Sequence, residues 1–472
     1  MHKKTKKEPI YLKNIEIIDT AYKGKSIAKH KERVIIVKDA VPGDICDISI
    51  YKKRRKYWEA EIHKIHQYSK LRETPKCEHF GICGGCKWQN MHYKYQLKFK
   101  QNEILNNLEK IGGVNTNNNQ NILKSKHTYF YRNKMEFTFS NKRWLTKKEI
   151  SSEKKIKERN ACGFHIPGMF DKVIDINNCY LQAEPSNTIR LSIKKFAKKN
   201  QLSYFDIRNQ KGLLRNLIIR TSTRNEIMVL VQFYEKELEK IKLLMQHLKT
   251  SFPEITSLLY IINQKANNTI YDQEIICYHV KEYIQENIDD LIFNIGPKSF
   301  FQTNSHQTQV LYKKTKELAK IKKTDIVYDL YTGTGTIAQY ISRHAKKVIG
   351  IDSVEEGIKA AYINAKQNNI NNCSFYTGDI KEIFSDKFIK ENGQADIIIT
   401  DPPRDGMHKK VVEQIIKIKP KRIIYVSCNS ATQARDIKLM SLNYRVTNIQ
   451  PIDMFPQTHH VENIVVLEKE NN

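Results

Sequence analysis

Short runs of alternating or β-branched residues open the chain. Ile15-Glu16-Ile17-Ile18, Arg33-Val34-Ile35-Ile36-Val37, Ile45-Cys46-Asp47-Ile48-Ser49-Ile50 and Tyr57-Trp58-Glu59-Ala60-Glu61-Ile62 carry the period of half-buried strands. Gly24 and Pro42-Gly43-Asp44 supply turns between them. Four or five strands within residues 8–66 predict a small OB-like β-barrel, a shape suited to holding oligonucleotides. The period then lengthens: Tyr93, Leu97, Ile104, Leu108 and Ile111 predict an amphipathic helix over Tyr93–Ile111. Asn115–Asn121 is an asparagine-rich loop with no evident chemistry. Residues 127–290 read as mixed α+β, mostly strand, with one helix near 235–249.

From about residue 322 strands and helices alternate. Strands are predicted at Ile326–Asp329, Lys347–Ile351, Ser374–Tyr376, Asp396–Thr400 and Arg422–Ser427, with late strands at 444–452 and 461–467. Helices fit Ile337–Arg343, Val354–Asn368 and Lys409–Lys417. This is the rhythm of an α/β Rossmann-like, doubly wound parallel sheet. The chain thus divides into a barrel at 8–66, a central domain at 67–290 and a cofactor-binding domain at 291–472.

Composition adds a partner. Lys and Arg number 80 against 51 Asp and Glu, a formal net charge of +29 over 472 residues. A field of that sign favours polyanions, nucleic acid first. No stretch approaches the ~20 apolar residues of a membrane-spanning helix. The charged start Met1-His2-Lys3-Lys4-Thr5-Lys6-Lys7 has no apolar run behind it, unlike a secretory signal. The expected compartment is the cytoplasm, where nine cysteines stay reduced and their clustering speaks for metal or catalysis.

Gly333 and Gly335 follow a strand and precede a helix, the context in which a glycine loop admits a ligand close to the backbone. Asp352 ends the next strand, where a carboxylate can accept both ribose hydroxyls of an adenosine cofactor. Asp379, after Gly378, is placed to meet the adenine, and Asp401 begins Asp401-Pro402-Pro403-Arg404. The series points to S-adenosylmethionine. Cys428 ends a further strand, and Glu462 opens the last one. A thiolate and a returning carboxylate suit attack on carbon 6 of a pyrimidine, methylation at carbon 5 and removal of the carbon-5 proton, with Cys428 as nucleophile and Glu462 as base. Cys77, Cys83 and Cys86 supply three thiols within ten residues. With Cys162, Cys179, His79 or His92 as a fourth ligand, spacing leaves zinc and an iron–sulfur cluster both open.

Ser427-Cys428-Asn429, Asp401-Pro402-Pro403-Arg404, Met454-Phe455-Pro456 with His460-Val461-Glu462-Asn463, and Phe300-Phe301-Gln302-Thr303-Asn304 together resemble the RNA uracil-5-methyltransferase family. The resemblance implies a class I methyltransferase domain in which Gln302, Tyr331, Asp352 and Asp401 contact S-adenosylmethionine, alongside Gly333, Gly335, Thr336 and Asp379. Asp352 is shorter than the family's usual glutamate, and Thr336 replaces its usual asparagine. Cys83-Gly84-Gly85-Cys86-Lys87-Trp88-Gln89 resembles the branch that carries a [4Fe–4S] cluster and an N-terminal TRAM barrel. That likeness implies cluster ligands Cys77, Cys83, Cys86 and Cys179, and leaves Cys46, Cys162, Cys277 and Cys373 as core thiols. It further implies that the Tyr93–Ile111 helix packs on the catalytic domain, and that the substrate is 23S rRNA, with a monomeric enzyme and no membrane. Three other readings fit parts of the sequence: the same chemistry on tRNA, methylation of an adenine amino group, and a non-catalytic RNA-binding ribosome-assembly factor. Tyr129, Phe130, Tyr131 and Arg132 are candidates for RNA contact or for a β-core role.

Overall fold

The computed structural model describes residues 10–152, 156 and 158–470, so the basic run Met1–Lys7 and the first two residues of the expected barrel domain lie outside the described residues. The chain forms two compact units, Met1–Lys100 with Phe455–His460, and Gln101–Met454 with Val461–Asn472.

In the first unit, β1 (Ile10–Ala21), β2 (Lys25–His30), β3 (Arg33–Lys38), β4 (Ile45–Lys53) and β5 (Tyr57–Gln67) close a barrel in the order β1-β2-β3-β5-β4. Ile17, Ile35, Val37, Ile48 and Ala60 fill it, while Ile18 is exposed, as strand alternation requires. Strand β2 was not among the predicted runs because its inward residues, Ser26 and Ala28, are small. Asp44 organises the turn before β4: its buried carboxylate accepts from the N–H groups of Val41 (2.7 Å) and Ser69 (3.0 Å) and from two guanidinium nitrogens of Arg72, both at 2.7 Å. Gln457 fixes the returning segment, its carbonyl accepting from the N–H groups of Lys87 and Trp88 and its side chain from Gln96 at 3.0 Å.

The second unit holds two seven-stranded sheets. The first comprises β6 (Lys134–Ser140), β7 (Ala161–His165), β8 (Val173–Asp175), β9 (Leu214–Thr221), β10 (Ile227–Phe233), β11 (Ser257–Ile262) and β12 (Ile276–Val280), in the order β12-β11-β10-β9-β6-β7-β8. Two helices, Ser186–Lys199 and Leu238–Ser251, contact each other through stacked Phe196 and His247 rings 4.3 Å apart. The expectation of a single helix between 127 and 290 is therefore corrected. Ser186–Lys199 shows only Ile189, Ile193 and Ala197 as its buried apolar stripe, and its many lysines and polar residues hide the helical period.

A hairpin, β13 (Ile284–Ile288) with β14 (Leu291–Ile295), precedes the second sheet. That sheet contains β15 (Ile326–Leu330), β16 (Lys347–Asp352), β17 (Cys373–Thr377), β18 (Ile397–Thr400), β19 (Arg422–Ser427), β20 (Tyr444–Ile452) and β21 (Glu462–Lys469), in the order β17-β16-β15-β18-β19-β21-β20. The first five in spatial order are parallel; β21 is antiparallel to both its neighbours. The two late strands therefore make a mixed sheet of what the α/β rhythm predicted as parallel. The asparagine-rich loop also has a structural role: residues 119–123 run beside β20, where the Gln120 N–H donates to the Ile449 carbonyl at 2.8 Å and shields the sheet edge.

The helix Tyr93–Lys110 contributes Ile104 and Leu108, both wholly buried, to the core that contains Tyr328, Ile349, Ile423 and Tyr425. Asn107 donates to Ser430 Oγ at 2.9 Å. Among the described residues no helix is long and apolar enough to cross a membrane. Leu108→Ala should destabilise the second unit by about 3 kcal/mol, the cost of a buried leucine's lost contacts plus the cavity left behind. A urea titration checks this, and an unchanged midpoint would show that the helix is not part of this core.

Candidate active site

Parallel strands end together at the carboxyl edge of the second sheet, and the strand order reverses between β15 and β18, the place where such sheets bind ligands. The segment after β15 turns sharply. Tyr331, Gly333 and Gly335 all have positive φ (65°, 56° and 72°), and the helix Thr336–Ser342 follows at once. A Cβ on Gly335 would lie 2.8 Å from both Ala361 and the Phe375 ring, so no side chain fits there. A Cβ on Gly333 would meet nothing within 4 Å. Open space therefore lies above that peptide.

Carboxylates surround this loop. Asp352, at the end of β16, accepts from Gly333 N–H (2.8 Å) through Oδ2 and from Val354 N–H (2.9 Å) through Oδ1. Asp329 is buried; its Oδ2 accepts from Thr332 Oγ1 (2.5 Å) and Ala338 N–H (3.1 Å), while its buried Oδ1 has no partner. Burial pushes the Asp329 carboxyl up to about 7, and the charges of Asp401 and Asp352 add to the rise. Thr336 shares its hydroxyl with buried Tyr312 at 2.8 Å. Gln302 is buried, its carbonyl accepting from Asn133 Nδ2 at 3.0 Å, just before Asn304 caps the helix Ser305–Ala319. Asp379 sits apart in character: it caps the short helix Ile380–Ile383 and pairs with Lys381 at 2.8 Å on the surface.

Strand register brings the candidate nucleophile and base together. Ser427 on β19 is paired with Asn463 on antiparallel β21, so Cys428 and Glu462 are the next residues on either side at the same edge. Thr400 is paired with Tyr425 on β19, which places Asp401 one strand away. Burial, then the charges of Glu462 and Asp401, push the Cys428 thiol up to about 12. Burial raises Glu462 well above the carboxylate range, with Asp401 adding to it, and burial lifts Asp401 to about 7.

Arg404 opposes these shifts. Its positive charge lowers both the Cys428 thiol and Glu462. The peptide is anchored to suit: the Arg404 carbonyl accepts from Asn429 Nδ2 (2.8 Å) and Thr432 Oγ1 (3.1 Å), on the helix Ser430–Met440 that follows the cysteine. Asp436 holds the rest of this loop. Its Oδ2 accepts from Met407 N–H at 2.8 Å and from the Tyr425 hydroxyl at 2.7 Å. Sequence reading named Arg404 only as part of a motif and passed over Asp329 and Asp436. The Asp-Pro-Pro-Arg segment carried the signal for Arg404, but not the direction of its side chain.

Asp401 thus lies close enough to raise both Asp329 and Glu462, and Arg404 is the cation that acts on the thiol. A ligand bearing positive charge would relieve this repulsion. S-adenosylmethionine, with its sulfonium and ammonium groups, fits such a donor set, and the unpartnered Asp329 Oδ1 and the open space at Gly333 agree with it.

The four expected cluster cysteines are all half-buried. In the first unit, the Cys77 N–H donates to Gln89 Oε1 (3.0 Å) and the Gly85 N–H points at Cys83 Sγ (3.5 Å). In the second, Cys179 exchanges two main-chain bonds with the Asn187 amide. Among the described residues no group of three or more His, Cys, Asp or Glu side chains is arranged to hold a metal ion. The thiols have the right chemistry for a cluster, but the arrangement does not present a formed site, and no step below passes through one. Of the four expected core thiols, Cys46 and Cys162 are buried; Cys277 and Cys373 are only half-buried. Tyr131 is buried, while Phe130 is exposed and meets Tyr180 edge to face at 6.0 Å.

Residues 208–470 match the family described as tRNA (Uracil-5-)-methyltransferase. A protein of Bacteroides thetaiotaomicron described as an uncharacterized RNA methyltransferase is 51% identical, covering 95% of this chain and 99% of its own. One of Porphyromonas gingivalis with the same description is 46% identical, covering 96% and 99%. The crystal structure of Pyrococcus abyssi tRNA (uracil-54, C5)-methyltransferase with S-adenosyl-L-homocysteine superposes with a TM-score of 0.73 at 28% identity, covering 96% of this chain and all of that one (100%).

If the Arg404 guanidinium stabilises the thiolate, Arg404→Met should slow alkylation of Cys428 by iodoacetamide roughly tenfold at pH 8, the worth of one charged hydrogen bond. Peptide mass spectrometry reads the rate residue by residue. Equal rates in the two proteins would remove Arg404 from this role.

Proposed function

Because this chain belongs to the RNA uracil-5-methyltransferase family, we propose that it methylates carbon 5 of a uridine in 23S rRNA through a covalent bond between Cys428 and carbon 6. S-adenosylmethionine supplies an electrophilic methyl group on a sulfonium. The single observation that carries the mechanism is that adjacent strands bring Cys428 and Glu462 to one sheet edge, with the charges of Asp401 and Arg404 acting on both.

Carbon 5 of uracil is a weak nucleophile. The Cys428 thiolate, stabilised by Arg404, adds to carbon 6 and leaves an enolate whose carbon 5 takes the methyl group. Glu462 then removes the proton from carbon 5, the ring's double bond re-forms, and the Cys428 sulfur leaves with the electrons of its bond to carbon 6. The target base must leave its stack to reach the cysteine. For the cofactor, Asp352 keeps lone pairs free for ribose hydroxyls beyond the two N–H groups it already accepts, and Gly333 and Gly335 let the backbone approach. Gln302, Tyr331 and Asp401 complete the proposed contacts, with Thr336 acting through its packing on Tyr312 and Asp379 as a rim contact.

The choice of 23S rRNA rests on the closed N-terminal barrel together with the cysteine motif. The Pyrococcus abyssi neighbour acts on tRNA, which supports the same chemistry on that substrate as the second reading. The barrel is proposed as an RNA-binding TRAM domain. The [4Fe–4S] cluster on Cys77, Cys83, Cys86 and Cys179 is proposed from the motif alone; iron and zinc analysis of anaerobically purified protein tests it, and zinc or no metal would reject it.

Labelled S-adenosylmethionine, offered with unmodified 23S rRNA and tRNA transcripts, should yield 5-methyluridine from the rRNA. Label from tRNA alone would move the substrate, label in methyladenosine would reject the thiolate route, and no label with tight RNA binding would leave an assembly factor. Cys428→Ala should abolish transfer, whereas Glu462→Gln should accumulate a denaturation-resistant protein–RNA adduct. Turnover also depends on an ionised base. Because burial and the Asp401 charge raise Glu462 well above the ordinary carboxylate range, the rate should fall on acidification at a higher pH than a free carboxylate would give. A rate still flat at pH 5 would exclude the buried pair as the base.

A further inference from the structure

A second basic feature lies on the other sheet of the same unit. Lys134 on β6 is paired with Arg220 on β9, so the two cations project side by side from one face. Arg220 is only 4% exposed; one nitrogen donates to the Ser299 carbonyl at 2.6 Å, and its Nε is buried without a partner. Neither cation has an ion pair among the described residues, and Glu136 is the acidic side chain among the residues that line the adjoining cavity. Desolvation, with the Arg220 charge adding to it, pushes Lys134 down to about 8. A buried cation and a half-buried one, side by side without an ion pair, call for an anion.

The cavity above them measures about 210 Å³ and is closed by the 268–271 and 297–303 loops. Its rim carries the exposed rings of Tyr271 and Phe300, with Lys298 beside them. The same loop continues into the candidate cofactor site. Phe300 accepts from Thr334 Oγ1 at 3.5 Å, and Asn133, next to Lys134, bonds the carbonyls of Gln302 and Thr303. One wall thus serves both spaces.

We propose that this cavity is an RNA subsite, taking a backbone phosphate of a nucleotide that flanks the target on Lys134 and Arg220, with a base stacked on Tyr271. It rests on the reading of the chain as an RNA-modifying enzyme. Phosphate contact supplies position and affinity, and an aromatic ring accepts any base. Glu136 limits the attraction from the same face.

The test is RNA affinity by fluorescence anisotropy, using in vitro transcribed 23S rRNA fragments and full-length protein, across a salt series. Lys134→Met should weaken binding about tenfold and make the slope of log affinity against log salt shallower by about 0.7, the share of one single-stranded phosphate. S-adenosylhomocysteine affinity, measured by calorimetry, should not change. Glu136→Gln keeps an acceptor for Asn216 Nδ2, at 3.2 Å in the native protein, and should tighten RNA binding, a sign that misfolding cannot produce. Affinity and slope equal to wild type in Lys134→Met would overturn the subsite, as would a loss confined to S-adenosylhomocysteine. Failure of the functional reading is separate: wild-type protein would then transfer no methyl group to any RNA, while the binding comparison still decides the cavity.

Discussion

Everything at the catalytic edge depends on burying several like charges in one small volume. Asp329, Asp401 and Glu462 lie at or beside the ends of three different strands of one sheet; Asp329 and Glu462 are buried and Asp401 is half-buried. In a medium of low dielectric such carboxyls hold their protons unless a positive group arrives. That is an energetic burden on the empty protein, and it makes the site selective for a cationic ligand. Arg404 answers part of it in advance, and its effect is concentrated on Cys428.

Such a site persists only if its parts are held rigidly. Asp436 ties Tyr425 at the core of β19 to the Met407 peptide, so the Asp-Pro-Pro-Arg loop cannot drift from the cysteine. Gln433 does the same across the other boundary, donating to the carbonyls of Tyr425 and Asn463 while the Asn463 amide donates back to it at 2.8 Å. These are buried networks whose loss would leave further polar groups without partners in the core, where Asn463 Oδ1 already lacks one. They help hold Cys428 and Glu462 in one register although they lie thirty-four positions apart in the chain.

The parts most legible in the sequence were those with a single strong period. The strands around Ile326, Lys347 and Arg422 have buried, mostly apolar centres with half-buried ends, and the glycine loop between a strand and a helix identified itself by context. Local chemistry was weaker where side chains are small or charged, as in β2 and the helix Ser186–Lys199. Cys428 and Glu462 stood out in the sequence because each is placed at a strand end, and the register brings them to one sheet edge. The roles of Arg404, Asp329 and Asp436 depend on which way a side chain turns and on what else is buried near it. Long-range register fixes both, and no local pattern of residues contains that information.

Charge also divides this protein by function. The chain as a whole is strongly basic, at +29, yet the edge that holds Cys428 is acidic. A uniform positive field would attract RNA but repel a sulfonium, and a uniformly negative one would do the reverse. The second unit resolves this by using different sheets: its first presents Lys134 and Arg220 on one face, and its second collects carboxylates at a strand edge. The 297–303 loop touches both regions, lining the basic cavity with Phe300, whose carbonyl accepts from Thr334 Oγ1 in the glycine loop. A short, well-anchored loop therefore borders two opposite electrostatic environments, each built from charges that burial leaves weakly screened.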